Sequence, residues 1–458
     1  MSTVSITLDG QTIEVAAGTT IIQAAHAAGL RIPYYCYHPG LIPDGNCRIC
    51  LVKVEKAPKL MVACKTPVAA GMVVRTTTEE VHAAHRSVME FMLINHPLDC
   101  PVCDQAGECK LQDYYFDNDL QNSRFKESKN HKPKVQELGK HVVFDAERCI
   151  MCSRCVRFCR DVTETNELGL INRGDRTQIA LASGTTLDNP YSMNVVDICP
   201  VGALTSRDFR FRKRVWFLDE QPSTCPGCST GCAVRYDFDA RENQIYRVRA
   251  DKDLNVNGYW MCDDGRFLHL RGETNRQLEP AGFAGDAAGE FAARWVAATK
   301  RLILMDPAQT NEVYAAVKAL AGSAELRAAP GFAKTDGYTT TQDNLLIAAD
   351  KNPNRAGREK VLGILPEWDG ETALKGFDLV VLIGRDSGYL PVGSVVISPW
   401  SATSAGVSVL PAASWWEQSG TTVTASGVDR PVRAVIKAPA AARSAVEWLA
   451  MLGAGVAS

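Results

Sequence analysis

Fifteen of the sixteen cysteines in this 458-residue chain, together with one histidine, sort into four groups whose side chains could each hold metal. The first is Cys36, Cys47, Cys50 and Cys64; the second is His96, Cys100, Cys103 and Cys109. The third joins Cys149, Cys152 and Cys155 to the distant Cys199, and the fourth joins Cys225, Cys228 and Cys232 to Cys262. Closely spaced thiolates share one short loop, so several sulfurs can turn inward around a small inorganic core. Such groups point to one-electron transfer through iron–sulfur clusters, and four of them in one chain suit a wire better than a single active site. Zinc is the competing metal, because C-x2-C also opens a zinc knuckle.

In the first group only Cys47-Arg-Ile-Cys50 keeps a close pair, with residues 37–46 between it and Cys36. Plant-type ferredoxins space the same ligands as C-x4-C-x2-C. Gly45 and Asn46 suit a loop that must turn tightly there. In the second group His96 precedes three cysteines that otherwise lack a fourth ligand. Neutral imidazole donates less electron density than thiolate, and in Rieske centres the exchange raises the potential. A zinc site of three cysteines and one histidine remains open by spacing alone. The remaining histidines, His26, His38, His82, His85, His131, His141 and His269, read as structural.

The third group is the most specific. Cys149-Ile-Met-Cys152-Ser-Arg-Cys155-Val-Arg-Phe-Cys159 matches the C-x2-C-x2-C-x3-C run of bacterial ferredoxins. Here Cys159 is followed by Arg160 instead of proline, and downstream only Cys199-Pro200 answers it. The simplest arithmetic places one [4Fe–4S] cluster on Cys149, Cys152, Cys155 and Cys199 and leaves Cys159 a buried spare. The fourth group, Cys225-Pro-Gly-Cys228-Ser-Thr-Gly-Cys232 with Cys262, has Gly227 and Gly231 for its turns. It resembles the N-terminal cluster domain of molybdopterin-dependent oxidoreductases.

The elements that must carry these loops follow from periodicity. Alternating β-branched residues over 4–8 and 11–15 flank Asp9-Gly10, a hairpin signal. Thr20 and Gln23 form a capping-box pattern ahead of a helix that Gly29 closes. Hairpin, helix and cysteine loop together resemble the β-grasp of plant-type [2Fe–2S] ferredoxins. Val81, Ala84, Val88, Phe91 and Met92 predict a helix over 78–95 that ends before Pro97. Residues 118–141, polar and rich in Lys and Asn, read as a linker. Beyond about residue 280 the chain turns to Ala, Gly and Pro without cysteine. There 301–305 and 378–383 read as buried parallel strands, 311–320 as a helix between them and 441–452 as a terminal helix.

Hydrophobic residues make up 46% and charged residues 22%, so the chain is globular and long enough for several domains. A net charge of −2 argues against nucleic-acid binding. The run Arg207, Arg210, Arg212, Lys213 and Arg214 reads as a solvated or partner-facing surface. No signal peptide and no apolar run long enough for a bilayer is visible, so the expected place is the cytoplasm with reduced thiols. There is no G-x-G-x-x-G, no P-loop and no nucleophile–base pair.

Taken in order, residues 96–109, the run 149–159 and Val196-Asp-Ile-Cys-Pro-Val-Gly-Ala203 resemble the G subunit of bacterial NADH–quinone oxidoreductase, respiratory complex I. The resemblance covers residues 1 to about 275. It implies one [2Fe–2S] cluster on the first group, [4Fe–4S] clusters on the other three, no molybdenum, and a fourth cluster lying off the main electron path. The implied fold is α+β and multidomain. It comprises a β-grasp [2Fe–2S] ferredoxin domain (1–77), a [4Fe–4S] domain with one histidine and three cysteine ligands plus a linker (78–140), and a [4Fe–4S] ferredoxin-like domain (141–215). A [4Fe–4S] domain of molybdopterin-oxidoreductase type (216–278) and a shortened α/β region of that type (279–458) follow. Val407-Ser-Val-Leu-Pro-Ala-Ala-Ser-Trp-Trp-Glu-Gln-Ser-Gly420 resembles a fragment of the latter. The implied role is an electron-transfer subunit of a proton-translocating NADH dehydrogenase. NADH oxidation then falls to a flavin-bearing partner and quinone reduction to another subunit of the peripheral arm, with membrane contact only through partners on the cytoplasmic side of the inner membrane. The alternatives are the equivalent subunit of an NAD-linked hydrogenase or formate dehydrogenase, and a zinc-dependent scaffold that moves no electrons.

Overall fold

The computed structural model describes residues 2–118, 123–272, 275–330, 342–368, 374–386 and 388–454. The chain divides into two units, Met1–Phe217 and Leu218–Ser458. In the first, β1 (Thr3–Leu8) and β2 (Gln11–Ala16) pair antiparallel around Asp9 and Gly10. Those two residues adopt positive φ, 48° and 87°, as a tight two-residue hairpin turn requires. In α1 (Ile21–Ala27) the Gln23 Oε1 accepts from the Thr20 N–H at 2.9 Å, and Gly29 at φ +73° ends the helix. With β3 (Leu51–Val54), β4 (Met61–Val62) and β5 (Val73–Arg75) the sheet runs β2-β1-β5-β3-β4, β1 and β5 being parallel. Ile21, Ile22 and Ala25 of the helix pack on Ile6, Leu8, Val52 and Val74, and Cys50 and Cys64 belong to the same core.

A long helix, α2 (Glu79–Leu93), follows Thr78, whose Oγ1 accepts from Val81 N–H at 3.3 Å; it packs with α3 (Lys110–Asn118). Then come β6 (Gln136–Glu137), β7 (Val142–Phe144), α4 (Arg154–Asp161), β8 (Leu168–Ile171), β9 (Gln178–Leu181), α5 (Asn194–Asp197) and β10 (Leu204–Ser206). β10, β7 and β6 form one small sheet, and β8 with β9 a hairpin. The polar stretch expected as a linker is tied down where it is described. Lys129 Nζ donates to the carbonyls of Leu93 and His96 at 3.0 and 2.7 Å, and Lys134 Nζ reaches Asp99 at 2.6 Å and Glu147 at 2.8 Å. Lys129 satisfies carbonyls left over at and just beyond the end of α2, which a polarity reading cannot see.

The second unit opens with an antiparallel meander, β11 (Asp219–Thr224), β12 (Ala233–Asp239) and β13 (Gln244–Ala250), then α6 (Asp263–Gly272) and α7 (Ala287–Ala297). β14 (Arg301–Met305), α8 (Asn311–Leu320), β15 (Glu325–Ala328), α9 (Arg355–Leu362), β16 (Leu379–Ile383), β17 (Val395–Ser398) and β18 (Ser408–Pro411) follow. The five strands are parallel in the order β15-β14-β16-β17-β18. Their unbroken apolar runs are explained by burial on both faces. Ile303, Met305, Val381 and Ile383 pack against Phe291, Trp295 and Tyr314 of α7 and α8, while Leu302, Leu304, Val380 and Leu382 pack against Leu374 and Leu390. The hairpin β19 (Gly420–Val423) and β20 (Asp429–Val432) and the terminal α10 (Ala445–Ala454) complete the unit. No helix among the described residues is long and apolar enough to cross a membrane.

Candidate metal centres

The first group closes in the loop between α1 and β3 and on the turn after β4. Cys36, Cys47, Cys50 and Cys64 are all buried. The Cys36 N–H points at Cys47 Sγ (3.4 Å). The Cys36 thiol is held far below its ordinary range by hydrogen bonds from the Cys47 and Cys64 thiols, and those two donors are pushed up in return. Four thiolates so close would repel one another, which suits a cationic group that takes them all and neutralises that repulsion. Gly45 (φ +77°) and Arg48 (φ +61°) both sit in the left-handed region, so backbone strain aims this loop.

Cys149, Cys152, Cys155 and Cys199 line one pocket, walled by Phe144, Ile179, Val195 and Leu204. Met151 and Ser153 between the ligands take positive φ, 54° and 61°, turning successive sulfurs inward. Burial pushes the Cys149 and Cys199 thiols up to about 12. It also raises Cys152, against the pull of the Arg154 and Arg157 guanidiniums. Cys159 does not line this cavity. Burial and its hydrogen bond to the Glu167 carboxylate raise its thiol to about 12; Glu167 also accepts from Asn189 Nδ2 at 2.6 Å and Thr165 Oγ1 at 2.7 Å.

Around the second group, the thiols of Cys100, Cys103 and Cys109 lie within one another's electrostatic reach, and burial pushes Cys109 up to about 11. The charge of Arg148 acts on both His96 and Cys103. Burial, then the charges of Lys129 and Arg148, hold the His96 imidazole neutral, with a pKa lowered to about 4. A neutral ring is the form a metal ligand needs. The basic run after β10 is only partly solvated. Arg214 Nη1 donates to the Cys103 carbonyl at 2.7 Å and its Nη2 donates to the Pro101 carbonyl. Arg214 therefore walls the second group, because a guanidinium can satisfy two loop carbonyls at once, while Arg207 and Arg212 of the run are exposed.

Cys225, Cys228, Cys232 and Cys262 line one pocket in the second unit. Gly227 N–H donates to Cys225 Sγ (3.4 Å) and Gly265 N–H to Cys262 Sγ (3.3 Å). A Cβ at Gly265 would sit 2.9 Å from Cys225 Sγ and 3.4 Å from Cys262 Sγ, so glycine there leaves room for the sulfurs. Leu346, Ile347 and Lys351 close the cavity from the C-terminal region. Trp415 and Trp416 pack on Cys225 and Cys232, and Trp415 Nε1 donates to the Thr224 carbonyl at 2.9 Å. Among the described residues no three or more His, Cys, Asp or Glu side chains gather at single-ion distance; the sulfurs of the third and fourth groups ring cavities instead.

The groups in the first unit touch. Arg154 Nη2 donates to the Tyr37 carbonyl (2.6 Å) and Nη1 to the Ile198 carbonyl (2.7 Å). Arg157 donates to the carbonyls of Cys36, Ile42 (2.6 Å) and Cys152 (3.4 Å). Asn46 Nδ2 reaches the Met151 carbonyl at 3.3 Å, so its role exceeds turning the loop. The second and third groups meet where Lys110 N–H donates to the Pro200 carbonyl (3.0 Å) and where Gly202 abuts Cys103 Sγ. Both arginines stand between cysteines of the third motif, Arg154 between Cys152 and Cys155 and Arg157 between Cys155 and Cys159, where a charged residue among the cysteines was the available signal. Gly202 carried none.

Family models match most of this region. Residues 1–79 match a 2Fe-2S iron-sulfur cluster binding domain, and 85–124 match the NADH-ubiquinone oxidoreductase-G iron-sulfur binding region. Residues 139–205 match the ferredoxin-like domain of NADH-quinone oxidoreductase subunit 3, and 218–273 the Fe4S4 domain of molybdopterin oxidoreductases. Over 266 residues the chain is 43% identical to the NADH-quinone oxidoreductase G subunit of Rickettsia bellii. The chain is similar to that G subunit over this stretch. The match takes in 58% of this chain and 39% of that relative, so the chain spans about two-fifths of its length. The mitochondrial NADH-ubiquinone oxidoreductase 78 kDa subunit of Neurospora crassa is 43% identical over 265 residues, 58% of this chain and 35% of that one. An NAD+-reducing [NiFe]-hydrogenase structure aligns at 28% identity and TM-score 0.42, over 46% of this chain and 91% of its own.

Proposed function

We propose that this chain is an iron–sulfur electron-transfer subunit that accepts electrons from an NADH-oxidising flavoprotein partner and passes them towards quinone in a membrane-attached NADH dehydrogenase. Cys36, Cys47, Cys50 and Cys64 would hold a [2Fe–2S] cluster. His96 with Cys100, Cys103 and Cys109, then Cys149, Cys152, Cys155 and Cys199, then Cys225, Cys228, Cys232 and Cys262 would hold three [4Fe–4S] clusters. When bound, these groups supply one-electron redox chemistry; the protein insulates, orients and spaces them. Residues 279–458 take no molybdenum in this reading and serve to close the fourth site. The chain sits on the cytoplasmic side of the inner membrane through its partner subunits.

The observation that carries the reading is the adjacency of the ligand loops. Asn46, one residue before Cys47, binds the loop of Cys149 and Cys152, and Lys110, one residue after Cys109, binds the loop of Cys199. The third group thus meets both the first and the second, an adjacency that the sequence order conceals. The test is anaerobic purification and reconstitution of the full chain. The expected content is about fourteen iron atoms, from one two-iron and three four-iron clusters. Zinc in place of iron, by elemental analysis, would sink the proposal.

A further inference from the structure

α4 carries two guanidiniums, Arg154 and Arg157, each only 3% exposed. Burying a guanidinium is strongly unfavourable unless an opposite charge compensates it. Among the described residues neither forms an ion pair with a carboxylate. Every hydrogen bond they make ends on a neutral oxygen: the carbonyls of Tyr37 and Ile198 for Arg154, and those of Cys36, Ile42 and Cys152 with the Ser153 hydroxyl for Arg157. Asp44 is linked to Arg157 only through that hydroxyl, which donates to its carboxylate at 2.7 Å. Arg154 Nε is buried and has no partner at all. By contrast Arg160, on the same helix but exposed, pairs with Asp161 at 2.6 Å.

The placement of the acceptors is specific. Tyr37 and Cys36 belong to the loop of the first group, while Ile198 and Cys152 belong to that of the third, so each guanidinium spans both. An iron–sulfur core held by four thiolates is a net anion, and it becomes more negative on reduction. We propose that Arg154 and Arg157 form a shared cationic bridge between the first and third sites, supplying the countercharge for both, raising both reduction potentials together and fixing the gap that the electron crosses. The inference rests on the cluster assignment above. An electron moving from the first site to the third makes and breaks no bond and needs no proton. A positive charge between the two stabilises the reduced form of each and changes the difference between them little. Both are positioning residues: they touch the ligand loops and not the iron.

The test uses the full chain with its clusters rebuilt anaerobically, iron content measured first and midpoints then read by redox titration under paramagnetic resonance. Arg157→Gln keeps a side-chain amide donor and removes the charge; Arg157→Lys keeps the charge and loses the forked geometry. The expected result is a downward shift of both midpoints, first and third, in Arg157→Gln, near-native midpoints in Arg157→Lys, and no shift in the control Arg160→Gln. Arg154→Gln should behave as Arg157→Gln does. If Arg157→Gln loses both clusters while Arg157→Lys keeps them, the charge requirement stands. The proposal is overturned if only one midpoint moves, if neither does, or if the Lys and Gln variants behave alike. A native chain that binds no iron would instead defeat the cluster assignment, and the iron measurement separates that failure from this one.

Discussion

Gly202 offers the sharpest perturbation, because it belongs to the ligand loop of the third group yet stands against a ligand of the second. A Cβ there would lie 2.2 Å from Cys103 Sγ and 3.1 Å from Gln105 Cβ, where ordinary contact begins at 3.4 Å. Its φ lies outside the left-handed region, so alanine is acceptable to the backbone and only the added methyl matters. Relieving the overlap requires one loop to retreat by roughly an ångström, and overpacking of this kind costs about 1–3 kcal/mol. The fold should survive that. Metal–ligand distances tolerate only about 0.2 Å, so a cluster on Cys103 should not. In Gly202→Ala the second cluster should be lost or labile, with iron falling by about four atoms, while the third site keeps its signal. Gly169→Ala is the control, since nothing lies within 4 Å of a Cβ at that position. Full iron content with an unaltered second-site resonance in Gly202→Ala would refute the reasoning.

Cys159→Ala should keep the full iron content, since its thiol engages Glu167 away from the cavity, whereas Cys199→Ala should lose the third cluster; paramagnetic spectra with the two outcomes exchanged would reassign the ligands. His96→Cys should retain a second cluster at lower potential, because an anionic thiolate favours the oxidised form more than imidazole does, and an unmoved midpoint would overturn His96 as a ligand. Asp386 tests the α/β region. Burial alone would raise its carboxyl, but N–H groups of Gly388 (3.0 Å), Thr403 (2.8 Å) and Ser404 (2.6 Å) hold it below the ordinary 3.8. Its stabilisation is therefore present above that value and lost as pH falls through the depressed one. Asp386→Asn should cost about 2 kcal/mol at pH 7 and progressively less towards pH 3, by urea unfolding; a cost independent of pH would contradict this.

Elements with strong local signals were legible from the residues. The hairpin at Asp9-Gly10, the cap at Thr20 and Gln23, the helix at 311–320 and the strand at 301–305 each rest on chemistry within a few residues. That Cys149, Cys152, Cys155 and Cys199 line one pocket follows a local signal too, three of them being on one loop. What spacing could not reveal was which groups are neighbours. That depends on contacts between residues far apart in sequence, such as Asn46 with Met151 or Lys110 with Pro200. The structural histidines and the polar stretch before residue 141 illustrate the same limit from the other side. His85 was safely structural, its Nε2 meeting the Leu51 carbonyl at 3.0 Å, but Lys129 and Lys134 looked like solvent-facing linker residues and instead secure the His96 loop.

The α/β region shows how a fold can be kept while its usual site is filled. In open parallel sheets ligands settle beyond the carboxyl ends of the strands where the strand order reverses, here between β14 and β16. That position is taken by the chain's own Asp306, 2% exposed, whose carboxylate accepts from Ala308 N–H at 2.7 Å and Arg385 N–H at 3.2 Å. Gly384 at φ +135° brings the end of β16 so close that a Cβ there would fall 2.2 Å from Asp306 Cβ. Burial raises the Asp306 carboxyl, consistent with a plugged crevice and not a solvated one. The sheet's useful products are its loops. The segment before α9 supplies Leu346, Ile347 and Lys351 to the fourth cavity, and the segment after β18 supplies Trp415 and Trp416. Glu417 in that second segment is locked by Arg276, whose Nη2 reaches both its carboxylate oxygens at 2.8 and 2.7 Å, and its Oε2 accepts from Ser414 N–H at 2.7 Å. A rigid parallel sheet thereby acts as the anchor for the segments that close over four cysteines.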